Sequence, residues 1–287
     1  MKTVIVDSKE TTLDIKNGRL MVGTQGIPFR LVELLVLAAE TTLSSKTLLR
    51  LSAENIAVLM MDRRSDRFAL TLPQNAKNSH LKETQYRALE KRLQLARHFV
   101  SGKIRTLTEH LQKLGVKDET KTWLDKVETA EAVDELMGIE GAFSRHYFQH
   151  YFDALPKHFH KGKRSKRPAQ DPVNALLSYL YTIAYNVITA RIFMAGFDPA
   201  ISFLHTPFRS HYALASDLLE LFRAGINSLV MEWFIEGHFK AEDFYRKEGV
   251  YLRYERRKEL WPEIRAFIDS LTLGADREIS TVKEMIA

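Results

Sequence analysis

Three short segments carry acid and imidazole groups at spacings that could do chemistry. In Gly138–Phe148, GIEGAFSRHYF, Glu140 lies between small residues within a helical pattern. Gly138 and Gly141 each weaken a helix by roughly 1 kcal/mol relative to Ala, so a helix that keeps both around a carboxylate points to a close approach there. In Gly196–His205, GFDPAISFLH, His205 follows a turn and an apolar run. In Ser216–Arg223, SDLLELFR, Asp217 and Glu220 stand at i and i+3, which puts both carboxylates on one helix face. Like charges there repel unless a cation sits between them. Taken singly, each segment also has an ordinary reading: helix packing, a satisfied core histidine, an exposed acid pair.

Other chemistries are excluded more easily. The chain has no P-loop, dinucleotide glycine fingerprint, HExxH or nucleophile elbow. It has no cysteine, hence no disulfide framework, thiolate zinc site or cysteine nucleophile. His146 and His150 are at i and i+4, with His158 and His160 close behind, but no acid or second helical pair completes a zinc site. The start, MKTVIVDSKE, has Asp7 and no long apolar stretch, so no signal peptide is expected and the expected location is cytoplasmic.

Charge is concentrated. The chain of 287 residues has 42 Lys and Arg against 36 Asp and Glu, a formal net charge of +6. Leu155–Arg167, LPKHFHKGKRSKR, holds Lys157, Lys161, Lys163, Arg164, Lys166 and Arg167 with no acid. Without it the chain is formally neutral. With Gly162 inside and Pro168 after it, the segment reads as an exposed loop, either solvated or in contact with phosphate.

The elements that must position these groups divide near residue 75. Thr3–Asp7 is a short β-branched run. Leu13–Lys16 and Arg19–Val22 flank Asn17-Gly18, a hairpin signal because both turn positions need positive φ. Leu31–Ala39 and Ile56–Met61 read as buried strands, Ser45–Ala53 as a short helix behind a Ser cap, and Phe68–Leu72 as a last strand. Leu72–Lys82 is polar and reads as a linker. Helical apolar spacing follows over Leu89–Leu107, Val127–Tyr151, Asp171–Met194 and Ser210–Ile235. The uncharged run Val173–Ala190 approaches membrane-span length, but Asn174, Ser178, Tyr179, Tyr181, Thr182, Tyr185, Asn186 and Thr189 mark it as a buried core helix.

The three segments, in order, resemble the CRISPR-associated integrase family Cas-one, the catalytic subunit of spacer acquisition. PAQDPVNALLS at 168–178 is similar to that family's proline-rich lead into DPVNALLS. GFDPAISFLH is similar to its GxDPxxGFLH, and DLLELFR to its DLMEEFR. The segment of Glu140, Arg145 and Tyr147 resembles its first catalytic helix. Ser202, Leu221 and Ala224 depart from the pattern; the Leu221 change narrows the acids to Asp217 and Glu220.

The resemblance implies an α+β protein. A small N-terminal β-domain with one short helix (1–73) serves dimerisation, followed by a linker (74–83) and a larger all-helical catalytic domain (84–287). It implies a site for Mg²⁺ or Mn²⁺ built from Glu140, His205 and Glu220, with Asp217 as a second ligand or neighbour. It implies DNA held by Arg145, Lys161, Lys163, Arg164, Lys166, Arg167, Asn174 and Arg223. The expected activity is metal-dependent DNA cleavage and insertion of spacers into a CRISPR array by transesterification. The expected partners are DNA (duplex, branched or with single-stranded ends), a second copy of the chain and the small protein Cas-two, with no membrane. A catalytically silent DNA-binding scaffold and a metal-dependent RNase or junction resolvase are the alternatives.

Overall fold

The computed structural model describes residues 3–62, 67–73, 76, 78–206 and 211–287. Seven strands and one helix come first: β1 Thr3–Val6, β2 Leu13–Lys16, β3 Arg19–Val22, β4 Gln25–Pro28, β5 Leu34–Leu37, α1 Ser45–Ala53, β6 Ala57–Met61 and β7 Phe68–Thr71. Asn17 and Gly18 close the β2–β3 hairpin with φ of 49° and 70°. Ser44 caps α1 as expected, its hydroxyl accepting the Thr47 N–H. The strands form two sheets, β2-β3-β4 and β1-β5-β6-β7, the second parallel except for the antiparallel β7 edge.

Helices dominate thereafter: α2 Ser79–Arg87, α3 Arg92–Lys113, α4 Thr120–Thr129, α5 Val133–Asp153, α6 Pro172–Met194, α7 Ala213–Glu220 and α8 Arg223–Ile235. Strands β8 Phe244–Arg246 and β9 Val250–Leu252 form a small hairpin before the long α9, Tyr254–Ile286. Each of these two strands has three residues, too short for an apolar period to register, so the expectation of a wholly helical 84–287 did not contain them. The expected helix Val127–Tyr151 is two helices, divided where Ala130 turns extended. The expected Ser210–Ile235 is α7 and α8, divided at Leu221-Phe222; Ser210 itself lies outside the described residues. Helix α2 starts inside the expected linker, with Asn78 accepting the Leu81 N–H as its cap.

One large core joins the sheet to the helices. The side chains of Ile5, Leu34, Val36, Ala57 and Leu59 point into it with those of α3, α5, α6 and α9, while Val4, Val6, Leu35, Leu37 and Val58 point the other way onto the hairpin sheet and α1. Period-2 alternation thus gives the four-stranded sheet two buried faces. Arg191 of α6 ties the parts together further, paired with Glu33 at 3.0 Å and Asp276 at 2.7 Å. Helix α6, uncharged from Val173 to Ala190, is the axis of this core, with Val173, Leu176, Leu177, Leu180, Ala184, Val187 and Ile188 all buried. Among the described residues no helix is long and apolar enough to cross a membrane.

Candidate active site

The site is assembled where α3 crosses α5 and α7. Gly102 of α3 permits the approach, since a Cβ there would overlap the Leu221 side chain at the end of α7. The next residue, Lys103, is 3% exposed and stands among Phe99, Val100, Ile104 and Leu107. A buried ammonium is strongly unfavourable unless it is paired. Lys103 is paired twice: its Nζ donates to Glu140 Oε1 of α5 and lies 2.6 Å from Glu220 Oε2 of α7. Carboxylates from two helices therefore converge on one cation. Ser144, one turn along α5, donates its hydroxyl to Glu140 Oε1 at 2.9 Å.

Glu220 also takes a two-pronged contact from Arg223, Nε to Oε2 at 2.6 Å and Nη2 to Oε1 at 2.7 Å. Burial alone would push the Glu220 carboxyl up; the charges of Arg223 and Lys103 override it and hold the group far below the usual carboxylate range. For Arg223 burial works downward, and Glu220 with Tyr181 raises it above its ordinary value. The guanidinium lies over the Tyr181 ring, 4.6 Å from its centroid.

Asp217, one turn before Glu220, has a different environment. It is fully buried. Its Oδ2 accepts the N–H of Phe203 at 2.8 Å and of Leu204 at 3.0 Å; its Oδ1 accepts the His205 N–H at 2.9 Å and faces His205 Nδ1 at 2.8 Å. This clamp fixes the 203–205 turn and points the other ring nitrogen of His205, Nε2, toward Glu220 Oε1, 4.0 Å away. Arg92 braces the turn from behind, donating to Phe203 O at 2.8 Å. Burial lowers the His205 pKa, but the hydrogen bond and charge of Asp217, with the charge of Glu220, outweigh it and leave it raised.

Glu140, His205 and Glu220 are thus brought together, while both oxygens of Asp217 are spent on the 203–205 turn. The expectation of a close approach at Gly138 and Gly141 is overturned. A Cβ at Gly138 would meet nothing within 4 Å, and one at Gly141 only Arg145 Nη1 at 3.8 Å. The close approach belongs to Gly102. Lys103 was missed, although a lysine four residues from both Phe99 and Leu107, among apolar residues of one helix face, is a readable signal for a paired buried charge.

The basic segment is not simply a solvated loop. Arg164 turns inward, donating to Asn174 Oδ1 at 2.8 Å and Ser178 Oγ at 3.1 Å, above the Tyr181 ring. Asn174, expected at the DNA surface, is fully buried and holds the segment instead: its Oδ1 also accepts the Ser165 N–H, and its Nδ2 donates to Lys163 O and Asp171 Oδ2. Lys161, Lys163, Lys166 and Arg167 stay exposed. Lys163, Arg164, Lys166 and Arg167 line one cleft of about 2520 Å³ together with Arg145, Arg223, Lys103, Glu140 and His205; Lys161 lies outside its lining. Tyr245, Lys247 and Tyr251 of the β8–β9 hairpin also line the cleft.

Among the described residues no three His, Asp or Glu side chains are grouped to hold a metal ion, and Lys103 stands between Glu140 and Glu220. The donor set nonetheless fits one. Two carboxylates already converge on a cation, and an imidazole nitrogen is oriented toward them; hard oxygens with one imidazole suit Mg²⁺ or Mn²⁺.

Residues 4–266 match the family model of CRISPR associated protein Cas1, the Cas-one family of the resemblance. The chain belongs to the Cas1 family. It is 30% identical over 293 residues to CRISPR-associated endonuclease Cas1 1 of Thermus thermophilus, covering 99% of this chain and 91% of that one. It is 28% identical over 285 residues to CRISPR-associated endonuclease Cas1 1 of Thermodesulfovibrio yellowstonii, covering 91% and 90%. In fold it is similar to TM1797, a CAS1 protein from Thermotoga maritima, at a TM-score of 0.84 and 24% identity over 100% of this chain and 97% of that one. A casposase bound to integration product gives a TM-score of 0.79 at 20% identity, over 99% and 91%. A chain of a partial Cas6-RT-Cas1–Cas2 complex gives 0.74 at 22% identity, over 100% and 95%.

Proposed function

We propose that this chain is a divalent-metal-dependent DNA endonuclease and integrase that inserts short DNA fragments into a CRISPR array by phosphodiester transesterification. The observation that carries the reading is the convergence of Glu140 and Glu220 on one cation, with His205 Nε2 4.0 Å from Glu220 Oε1. The relatives' name, endonuclease, and a neighbour in fold bound to an integration product support the same class of reaction.

Glu140, His205 and Glu220 hold the ion; Asp217 is a positioning residue that acts through His205. A divalent ion so held supplies charge stabilisation at the scissile phosphodiester and eases deprotonation of the attacking hydroxyl. With water the product is a nick; with a DNA 3′-OH it is a joined strand. Asp217 keeps His205 Nδ1 occupied, so Nε2 is the nitrogen free to ligate. Arg145, Lys163, Lys166 and Arg167 border the cleft and neutralise phosphates on either side of the reacting bond. Arg223 keeps Glu220 ionised and in place. Partners follow the neighbours in fold: DNA, the small protein Cas2 as in the Cas6-RT-Cas1–Cas2 complex, and a second copy of this chain through the strand edges of 1–73.

The test is strand joining by purified protein. A labelled DNA fragment with 3′-OH ends and a supercoiled plasmid carrying CRISPR repeats should give nicked and joined products with Mn²⁺ or Mg²⁺, and none with EDTA. Joining that persists in EDTA would contradict the metal site. DNA binding with no nicking or joining under any divalent ion would favour the silent scaffold.

A further inference from the structure

Lys103 departs from its surroundings. It comes from the middle of α3, with Phe99, Val100, Ile104 and Leu107 buried around it, and its side chain is 3% exposed. Glu140 accepts a hydrogen bond from it, and Glu220 Oε2 lies 2.6 Å from its Nζ. Arg223 occupies the other side of Glu220, at 2.6 Å and 2.7 Å. Glu140 and Glu220 come from different helices, and both are largely withdrawn from water. Without the ammonium they would face each other as like charges in a poorly solvated space, where repulsion is screened far less than at a surface.

The gap those carboxylates share is also the one a divalent ion would need, with His205 Nε2 4.0 Å from the second oxygen of Glu220, Oε1. An ammonium and a divalent ion cannot both stand there. They would require the same oxygens at contact distance, and they repel each other.

We propose that Lys103 is an internal counter-ion: it holds Glu140 and Glu220 together in the ion-free protein and is displaced when the divalent ion binds, so that ion entry is an exchange of cations. This inference rests on the reading of Glu140, His205 and Glu220 as the ion site. Lys103 already lines the cleft, so its long stem can carry the displaced ammonium outward to where DNA phosphates run. Two consequences follow. Lys103 weakens the free protein's hold on the ion, and it stabilises the ion-free fold. A residue with only a packing role would do neither in this opposed way.

The experiment titrates full-length wild type, K103M and E220Q with Mn²⁺ alone by calorimetry, and melts each protein in EDTA and in saturating Mn²⁺. K103M should bind Mn²⁺ about tenfold tighter or more, the scale of ordinary coupling between ligands that oppose each other. In EDTA it should melt below wild type, and Mn²⁺ should raise its melting temperature by more than it raises the wild type's. E220Q should bind Mn²⁺ more weakly than wild type. If E220Q loses affinity while K103M binds no tighter than wild type, the exchange is overturned and the ion site stands. If wild type and E220Q bind Mn²⁺ alike, the ion site itself fails and takes the exchange with it. Should K103M not fold, K103Q repeats the neutralisation with a polar amide. If neither variant folds even with Mn²⁺ present, the ion cannot stand in for the ammonium and the exchange is overturned.

Discussion

Asp217 and Glu220 lie one turn apart on α7, both buried, yet their surroundings answer the two charges in different ways. Asp217 is neutralised by fixed backbone dipoles: three successive N–H groups and the ring of His205 converge on its two oxygens. Glu220 is neutralised by side-chain cations, Lys103 and Arg223, on long side chains that border an open cleft. Backbone donors cannot leave without unmaking the turn. Side-chain cations can be exchanged. A charge held the first way maintains structure, and a charge held the second way is available to a ligand.

Asp217→Asn should have the largest effect. Either orientation of the new amide turns an NH₂ toward at least one backbone N–H that now donates to a carboxylate. Leaving such buried donors opposed costs about 3 kcal/mol or more, so the melting temperature should fall by many degrees. Thermal unfolding in EDTA checks this. A variant as stable as wild type would show that the 203–205 turn does not depend on Asp217.

The basic segment sharpens the contrast from the other wall of the cleft. There Arg164 is held by neutral groups, Asn174 and Ser178, while Lys163, Lys166 and Arg167 stay exposed. Replacing those three with Ala should weaken DNA binding across all sequences while leaving Mn²⁺ binding alone. Each lost phosphate contact flattens the dependence of log K on log salt by roughly 0.9, so the slope should fall by up to about 3 units. Binding curves at several salt concentrations with the wild-type slope would remove these residues from the DNA path.

The smallest expected effect is a pH dependence at His205, which is 26% exposed. Its pKa is raised in the folded protein, with Asp217 and Glu220 overcoming the opposite pull of burial. A raised histidine contributes stability that is complete below the unfolded value, roughly pH 6.5, and is lost as pH climbs through the folded value. The ion-free wild type should therefore exceed His205→Gln in stability by more at pH 6 than at pH 8. The proton also competes with a metal for the ring, so Mn²⁺ affinity should drop over the same interval as pH falls. A stability difference independent of pH would place the raised charge elsewhere.

Much of this arrangement was legible in the residues. Asn17-Gly18 announced the β2–β3 turn because few other pairs tolerate two positive φ values. The Ser cap set the start of α1, and the polar residues inside the uncharged run Val173–Ala190 marked α6 as a core helix. The three segments bearing Glu140, His205 and Asp217–Glu220 do meet. What stayed hidden depends on contacts across long separations. The break between α7 and α8 at Leu221-Phe222 falls inside an unbroken apolar period. Gly102 has no local role; its smallness matters only because Leu221, far along the chain, packs on it. Gly138 and Gly141 were read by the same logic, yet Gly138 faces open space and a Cβ at Gly141 would make only an ordinary contact with Arg145. Asn174 has the chemistry of a DNA contact but spends it on Lys163, Arg164 and Ser165, and no local pattern distinguishes the two uses.

In the proposed reaction Glu220, and not Asp217, is the acid of α7 that serves the chemistry directly. Mn²⁺-dependent joining of a 3′-OH DNA end by Glu220→Gln, measured under single-turnover conditions at a temperature where melting shows the variant folded, tests it most directly. The rate should fall by about 10²-fold or more, the scale seen when one preorganised electrostatic group is removed from a reaction centre. Joining at the wild-type rate by the folded variant would contradict the claim.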